Sequence, residues 1–273
     1  MKKIFAASFI LCFSALSIFA QTSNLVKKDL TQAEIDQIVK KFTENEKKFR
    51  SALTTYIFNR SAIVQTLGMG GQVSGVFRRD SFMALTESGE RLEKVLFSPV
   101  STLPLGFFTP EDFEDLGGVT PFALEPSVMN QYNFTYLGKE KIDELNLYVF
   151  EVAPKVMPDP KKSKLRMFLG RIWVDDQDLM IVKTKGKGVP ETKTNKFPIV
   201  ETWRENIDGK YWFPSFASSD DELFWENAPS VKLKLRVKFT NYRVGRSDVK
   251  IGDDEEEVKD ETKPTPTPTP KKP

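Results

Sequence analysis

For most of its length this chain alternates apolar and polar residues with a period of two, the spacing of a strand with one buried face. The alternation is clearest at Val231, Leu233, Leu235, Val237 and Phe239, which interleave with Lys232, Lys234, Arg236 and Lys238. One face of that strand is apolar and the other is wet, as in an antiparallel sheet covered on one side. Weaker versions of the pattern recur at 56–58, 61–67, 72–86, 91–97, 133–137, 146–152, 166–174, 179–185, 197–206 and 210–216. Gly68, Gly70 and Gly71 punctuate one turn, Ser88-Gly89 the next, and Asp208-Gly209 is a strong hairpin signal.

One helix is expected ahead of the strands. Thr31-Gln32-Ala33-Glu34 is a capping box. Ile35, Ile38, Val39, Phe42 and Phe49 then share a helical face, with lysines and glutamates opposite, which predicts a helix over about 32–50. About ten or eleven antiparallel strands form a sheet large enough to curl. The expected fold is therefore mainly β, of α+β type. It is a curled antiparallel sheet forming an unclosed β-barrel, covered by the N-terminal helix and a short helical insert.

The insert lies within 98–126, where Pro99, Pro104, Pro110, Pro121 and Pro126 exclude a central strand. Thr109-Pro110-Glu111-Asp112 has a cap residue, proline at the first helical position and acids in the first turn. Gly117 is placed to end that short helix. Leu105, Phe107, Phe108 and Phe113 make the segment apolar. It reads either as a lid over a ligand or as a static flap plugging one end of the barrel.

The ends of the chain are not part of that body. Lys2 and Lys3, an apolar run from Ile4 to Phe19 and a small residue at Ala20 make 1–20 a secretory leader too short to span a bilayer. Cys12, the chain's single cysteine, falls inside the leader, so the mature protein is expected to have no disulfide. There is no histidine. The commonest catalytic base and metal ligand and the commonest soft nucleophile are thus both missing from the mature chain. Residues 21–252 are expected to form one domain. An acidic run from Asp253 to Glu257 and a threonine-proline stretch from Lys263 to Pro273 make 253–273 a disordered tail. Removing Lys2 and Lys3 from 40 Lys+Arg leaves 38, equal to the 38 Asp+Glu, so net charge gives no case for nucleic acid.

Three segments carry a likeness. They are Tyr136-Leu137-Gly138-Lys139-Glu140 with Tyr148-Val149-Phe150-Glu151-Val152 and Pro154; Gly170-Arg171-Ile172-Trp173-Val174-Asp175 running on through Leu179 to Lys183; and Asp208-Gly209-Lys210-Tyr211-Trp212-Phe213-Pro214. Together they resemble the outer-membrane lipoprotein-sorting-like superfamily (LolA/LolB/RseB-like), over most of 32–242. The resemblance implies a periplasmic protein whose unclosed barrel, covered by helices, holds acyl chains in an apolar cavity. No lid residue of the carriers finds a match here.

Phe134, Tyr136, Trp173, Phe197, Trp203 and Phe213 sit in expected strands, and Leu233, Leu235 and Val237 form the apolar face of the last one. Singly they read as core. As a set they line the expected apolar cavity, with acyl chains of a lipid or lipoprotein as partner and no cofactor or metal. The basic stripe of Lys232, Lys234, Arg236 and Lys238 reads as a solvated face that discourages edge pairing, or as a contact for lipid phosphates or an acidic protein. Asp175, Asp176 and Asp178 fail as a calcium loop, because Met180 and Ile181 stand at the third-ligand and glycine positions. They read better as a turn. Ser247-Asp248-Val249-Lys250 has the Ser-x-x-Lys spacing without companion motifs. Glu111, Asp112, Glu114 and Asp115 are better explained by a helix's first turns than by glycoside cleavage. The sequence thus points to a non-catalytic lipid carrier or sensor. An envelope protein-interaction module with a filled cavity is the alternative.

Overall fold

The computed structural model describes residues 25–27, 29–86, 91–104, 124–162, 166–193, 195–226 and 228–245. Helix α1 (Gln32–Leu53) opens with the expected capping box. The Thr31 hydroxyl accepts from the Glu34 amide at 3.3 Å, and the Glu34 carboxylate accepts from the Thr31 amide at 2.7 Å. Three strands follow, β1 (Tyr56–Leu67), β2 (Val73–Leu85) and β3 (Arg91–Phe97), then a one-turn helix α2 (Pro126–Met129). The remaining strands are β4 (Tyr132–Ile142), β5 (Leu145–Pro154), β6 (Met167–Asp175), β7 (Ile181–Val189), β8 (Val200–Ile207), β9 (Tyr211–Trp225) and β10 (Ala228–Val244). The expected insert helix and lid residues, Leu105, Phe107, Phe108 and Phe113, lie outside the described residues, as do the leader, the tail and Ser247 to Lys250.

All ten strands belong to one antiparallel sheet in the order β3-β2-β1-β10-β9-β8-β7-β6-β5-β4. Consecutive strands pair through hairpins, except that β3 and β4 stand at opposite edges and β1 pairs with β10. The sheet is therefore not closed. Asp208 and Gly209 both take positive φ, 54° and 68°, which is the geometry of a tight hairpin whose twist matches its strands.

The sheet bends around α1. The Phe42 ring lies 5.5 Å from Phe134 on β4, and the Phe49 ring lies 5.8 Å from Phe213 on β9. Phe42 and Phe49 share one helical face, and seven residues of helix rise only about 10 Å. Strands β4 and β9 are five spacings apart, about 24 Å in a flat sheet. Only a strongly curled sheet brings both strands to one short stretch of helix.

Two glycines let β6 and β7 approach closely. Gly170 on β6 and Gly186 on β7 pair directly, and an added Cβ on Gly170 would collide with the Gly186 Cα and the Lys185 carbonyl oxygen. An added Cβ on Gly186 would meet the Phe168 ring at 2.6 Å. The obstacles to Gly170 are backbone atoms, so a side chain there must push the strands apart. Gly170→Ala is expected to cost about 1–3 kcal/mol in urea unfolding. A loss below about 0.5 kcal/mol would mean that β6 and β7 spread freely.

Two apolar clusters fill the concave face. One joins Phe49 and Leu53 of α1 to Val64, Phe77, Phe213, Leu235 and Val237. The other joins Ile38 and Phe42 to Phe150, Val152, Ile172 and Val174. A third, smaller cluster of Leu147, Val149, Trp173 and Val182 contains no residue of α1. It lies on the convex face, partly under Leu25, whose neighbour Val26 bridges to Lys139 on the β4 edge.

Candidate functional site

The concave face takes its chemistry from strand parity. On β1 the inward positions are Phe58, Arg60, Ala62 and Val64, which face Phe239, Val237 and Leu235 across the β10 ladder. On β9 they are Ala217 and Ser219, and on β5 they are Tyr148, Phe150 and Val152. Phe134 and Tyr136 of β4 pair with Val152 and Phe150. Of the residues expected to line the cavity, Phe134, Tyr136, Phe213, Leu233, Leu235 and Val237 are thus brought to one face. Phe213, Leu233, Leu235 and Val237 are buried, and Phe134 and Tyr136 are half-buried.

Trp173 and Trp203 are not on that face, which corrects the expectation for both. The ladder sets Trp173 beside Val149 and Lys183, and Lys183 beside Trp203, with Ile172 and Thr202 pointing inward instead. Adjacent Ile172 and Trp173 are both apolar, so alternation could not say which one faces the helix. The Lys183 ammonium lies between the two indoles, 4.7 and 4.2 Å from their centroids, and 3.2 Å from Glu201. Burial opposes ionisation of Glu201, but Lys183 and the Trp203 indole outweigh it and hold the carboxyl below its ordinary range. Phe197 is corrected as well. It precedes β8 rather than lying in it, next to Pro198, with the Arg166 guanidinium 4.7 Å from its ring centroid.

Two ionic features on the concave face were missed by a search for apolar linings. The Glu46 side chain of α1, 1% exposed, takes a two-pronged bond from Arg204 on β8 at 2.6 and 3.0 Å. The same guanidinium lies 4.2 Å from the Phe49 ring centroid. The signal was present: Glu46 falls between Phe42 and Phe49 on the apolar stripe, where an acid must find a cation. The second is Arg60, 1% exposed, which reaches Glu93 on β3 at 2.8 Å, with Arg79 3.9 Å from the same carboxylate. Ser81 donates a short hydrogen bond to Glu93. Burial pulls the Arg60 pKa down, and Glu93 counteracts it.

The acids at the β6–β7 turn behave as a turn. Asp175 accepts from the amides of Gln177 and Asp178, Asp176 binds Lys139 at 2.6 Å, and Asp178 accepts from the Trp212 indole at 2.8 Å. Among the described residues no group of three or more acids, histidines or cysteines is placed to hold a metal ion. The basic stripe of β10 lies on the convex face, where Lys232 meets Glu222 at 3.9 Å and Arg236 meets Asp220 at 2.5 Å. No described helix is long and apolar enough to cross a membrane.

No family model matches the chain, and no curated protein matches it. Solved structures similar to it include a DUF1329 family protein from Desulfovibrio piger, at 14% identity over 83% of this chain and 96% of that one, with a TM-score of 0.40. Another is an outer membrane lipoprotein-sorting protein domain from Vibrio parahaemolyticus, at 12% identity over 75% and 93%, with a TM-score of 0.33. A third is MucB in complex with MucA(peri), at 6% identity over 75% and 93%, with a TM-score of 0.22. At these identities and scores the likeness supplies no function, and the fold rests on the strand pairing itself.

Proposed function

We propose that the protein is an exported, periplasmic, non-catalytic carrier or sensor of lipid, which takes acyl chains against the concave face of its open sheet. The leader over 1–20 delivers it, and 21–252 form the binding unit. The observation that carries this reading is the make-up of the concave face. It is largely apolar from β1 across to β5, interrupted by Arg60 and by the Glu46–Arg204 pair, and α1 packs on it mainly through apolar side chains. Such a helix can give ground to a chain of similar girth once the Glu46–Arg204 pair opens, because β3 and β4 are the sheet's edges and the curl can widen without breaking a strand-to-strand ladder. Each buried methylene would contribute about 0.8 kcal/mol. The three resembling segments support the same reading. Transfer in one direction would need partner proteins.

The test is binding by mature protein that has been denatured, stripped of lipid and refolded. Saturable enhancement of cis-parinaric acid fluorescence, and a co-purifying lipid mass in native mass spectrometry of envelope-derived protein, are expected. Absence of both would overturn the reading. An interaction module with a filled interior is favoured by one observation, the exposed Val95, Leu96 and Phe97 on edge strand β3. Protein that binds no acyl probe, and whose Phe97→Asp variant loses a cross-linked envelope partner, would follow that second reading.

A further inference from the structure

The tyrosine hydroxyls gathered on the concave side do not share one fate. Tyr132 accepts from the Phe168 amide at 3.0 Å, Tyr56 donates to Asp208 at 2.8 Å, and Tyr242 donates to the Pro214 carbonyl at 2.7 Å. Tyr136 differs. Its hydroxyl oxygen is shielded from solvent and has no hydrogen-bond partner among the described residues. A buried hydroxyl without a partner is costly, and in a folded protein it calls for an explanation.

Its surroundings supply one. Tyr136 stands on β4, an edge strand, so it sits at the open side of the curl. Its ring centroid is 5.5 Å from Phe150 and 6.2 Å from Tyr148, and Phe150 leads on to Phe42 at 5.8 Å. Phe42 and Phe150 are buried, so an apolar tail that displaces side chains of α1 to follow those rings would leave its polar end beside the Tyr136 hydroxyl. The nearby Lys139 ammonium is held by Asp176 at 2.6 Å, and Asp29 also bears on the phenol, so the neighbourhood is polar and slightly acidic and suits a neutral acyl oxygen better than a carboxylate. Burial pushes the Tyr136 phenol up, so it is protonated at neutral pH and available as a donor.

We propose that the Tyr136 hydroxyl donates a hydrogen bond to the acyl oxygen of the bound ligand, a carboxylate or an ester carbonyl, and fixes its head at the β4 edge. This rests on the acyl-binding reading and names which end of the ligand goes where. Tyr136→Phe removes one oxygen and keeps the ring. Refolded, delipidated wild-type and Tyr136→Phe proteins would be titrated with cis-parinaric acid, with its methyl ester, and with diphenylhexatriene, a hydrocarbon with no head.

The variant is expected to lose about tenfold in affinity for a probe that carries an acyl oxygen and to bind diphenylhexatriene as before, with a melting temperature no lower than wild type. Loss for both acid and ester assigns the bond to a carbonyl oxygen common to the two. Loss for the acid alone assigns it to a carboxylate. Unchanged affinity for all three probes would overturn the inference while leaving acyl binding intact. Equal loss for all three would overturn it too, since the hydroxyl would then shape the site rather than bond the ligand's head. A wild-type protein that binds none of the three would remove the acyl-binding reading and this inference together.

Discussion

Glu46→Ala is expected to cost about 3–5 kcal/mol of folding free energy, a large share of the stability of an ordinary domain. Glu46 is buried between α1 and the sheet, and the cation that meets it is Arg204, itself 8% exposed. Removing the carboxylate strands a guanidinium in an apolar site, against Phe49 and the Ile181 carbonyl. The loss comes from that uncompensated charge and not from the attraction itself, because the desolvation of both groups offsets much of their pairing. The double variant Glu46→Leu with Arg204→Met should therefore recover most of the stability, since it removes both charges and keeps the volume. Urea unfolding of the wild type, Glu46→Leu, Arg204→Met and the double variant in a double-mutant cycle checks this, with Glu46→Ala measured beside them. A Glu46→Ala loss under about 1 kcal/mol, or a double variant no better than the single, would show that the pair does not bind α1 to the sheet.

The same pair shows how far the sequence could be read. Capping at Thr31, the hairpin at Asp208-Gly209 and the last strand are local signals, and each appears in the fold where the residues put it. Parity was legible only where apolar and charged residues strictly alternate, as in β10. In β6, Phe168, Leu169, Ile172, Trp173 and Val174 are all apolar, and both faces of that strand are buried, one under α1 and one under Leu25. Nothing local distinguishes the two faces of such a strand. In the middle of β8 the large apolar residue, Trp203, lies outside, while Thr202 and Arg204 face in, because Arg204 answers an acid on a helix about 160 residues earlier. Strand β9 runs on through Ser218-Ser219-Asp220-Asp221-Glu222, a stretch with poor strand propensity. What holds it is the ladder to Lys232, Lys234 and Arg236, a tertiary pairing that one strand's own residues do not display.

Phe42→Ala should bear most directly on what the concave face is for. Phe42 is 0% exposed, edge-on to Phe134 at 5.5 Å and tilted against Phe150 at 5.8 Å. Removing its ring is expected to cost about 3–5 kcal/mol, the sum of lost transfer free energy and the void left behind. The rings nearest the void, Phe134 and Phe150, are apolar, so the space would suit hydrocarbon. Under the carrier reading, Phe42 occupies the position that an acyl tail takes when α1 yields. The variant should then bind diphenylhexatriene more tightly than wild type while melting at a lower temperature. Those two effects have opposite signs, and simple loosening of the fold does not produce them together, because a protein that is merely unstable loses ligand as it loses structure. Phe42→Leu refills part of the space and should fall between the two on both scales. If Phe42→Ala is destabilised as expected but binds the hydrocarbon no better than wild type at a temperature where both are folded, α1 is a fixed part of the core. The concave face is then a packing surface, and the apolar β3 edge becomes the stronger place to look for a partner.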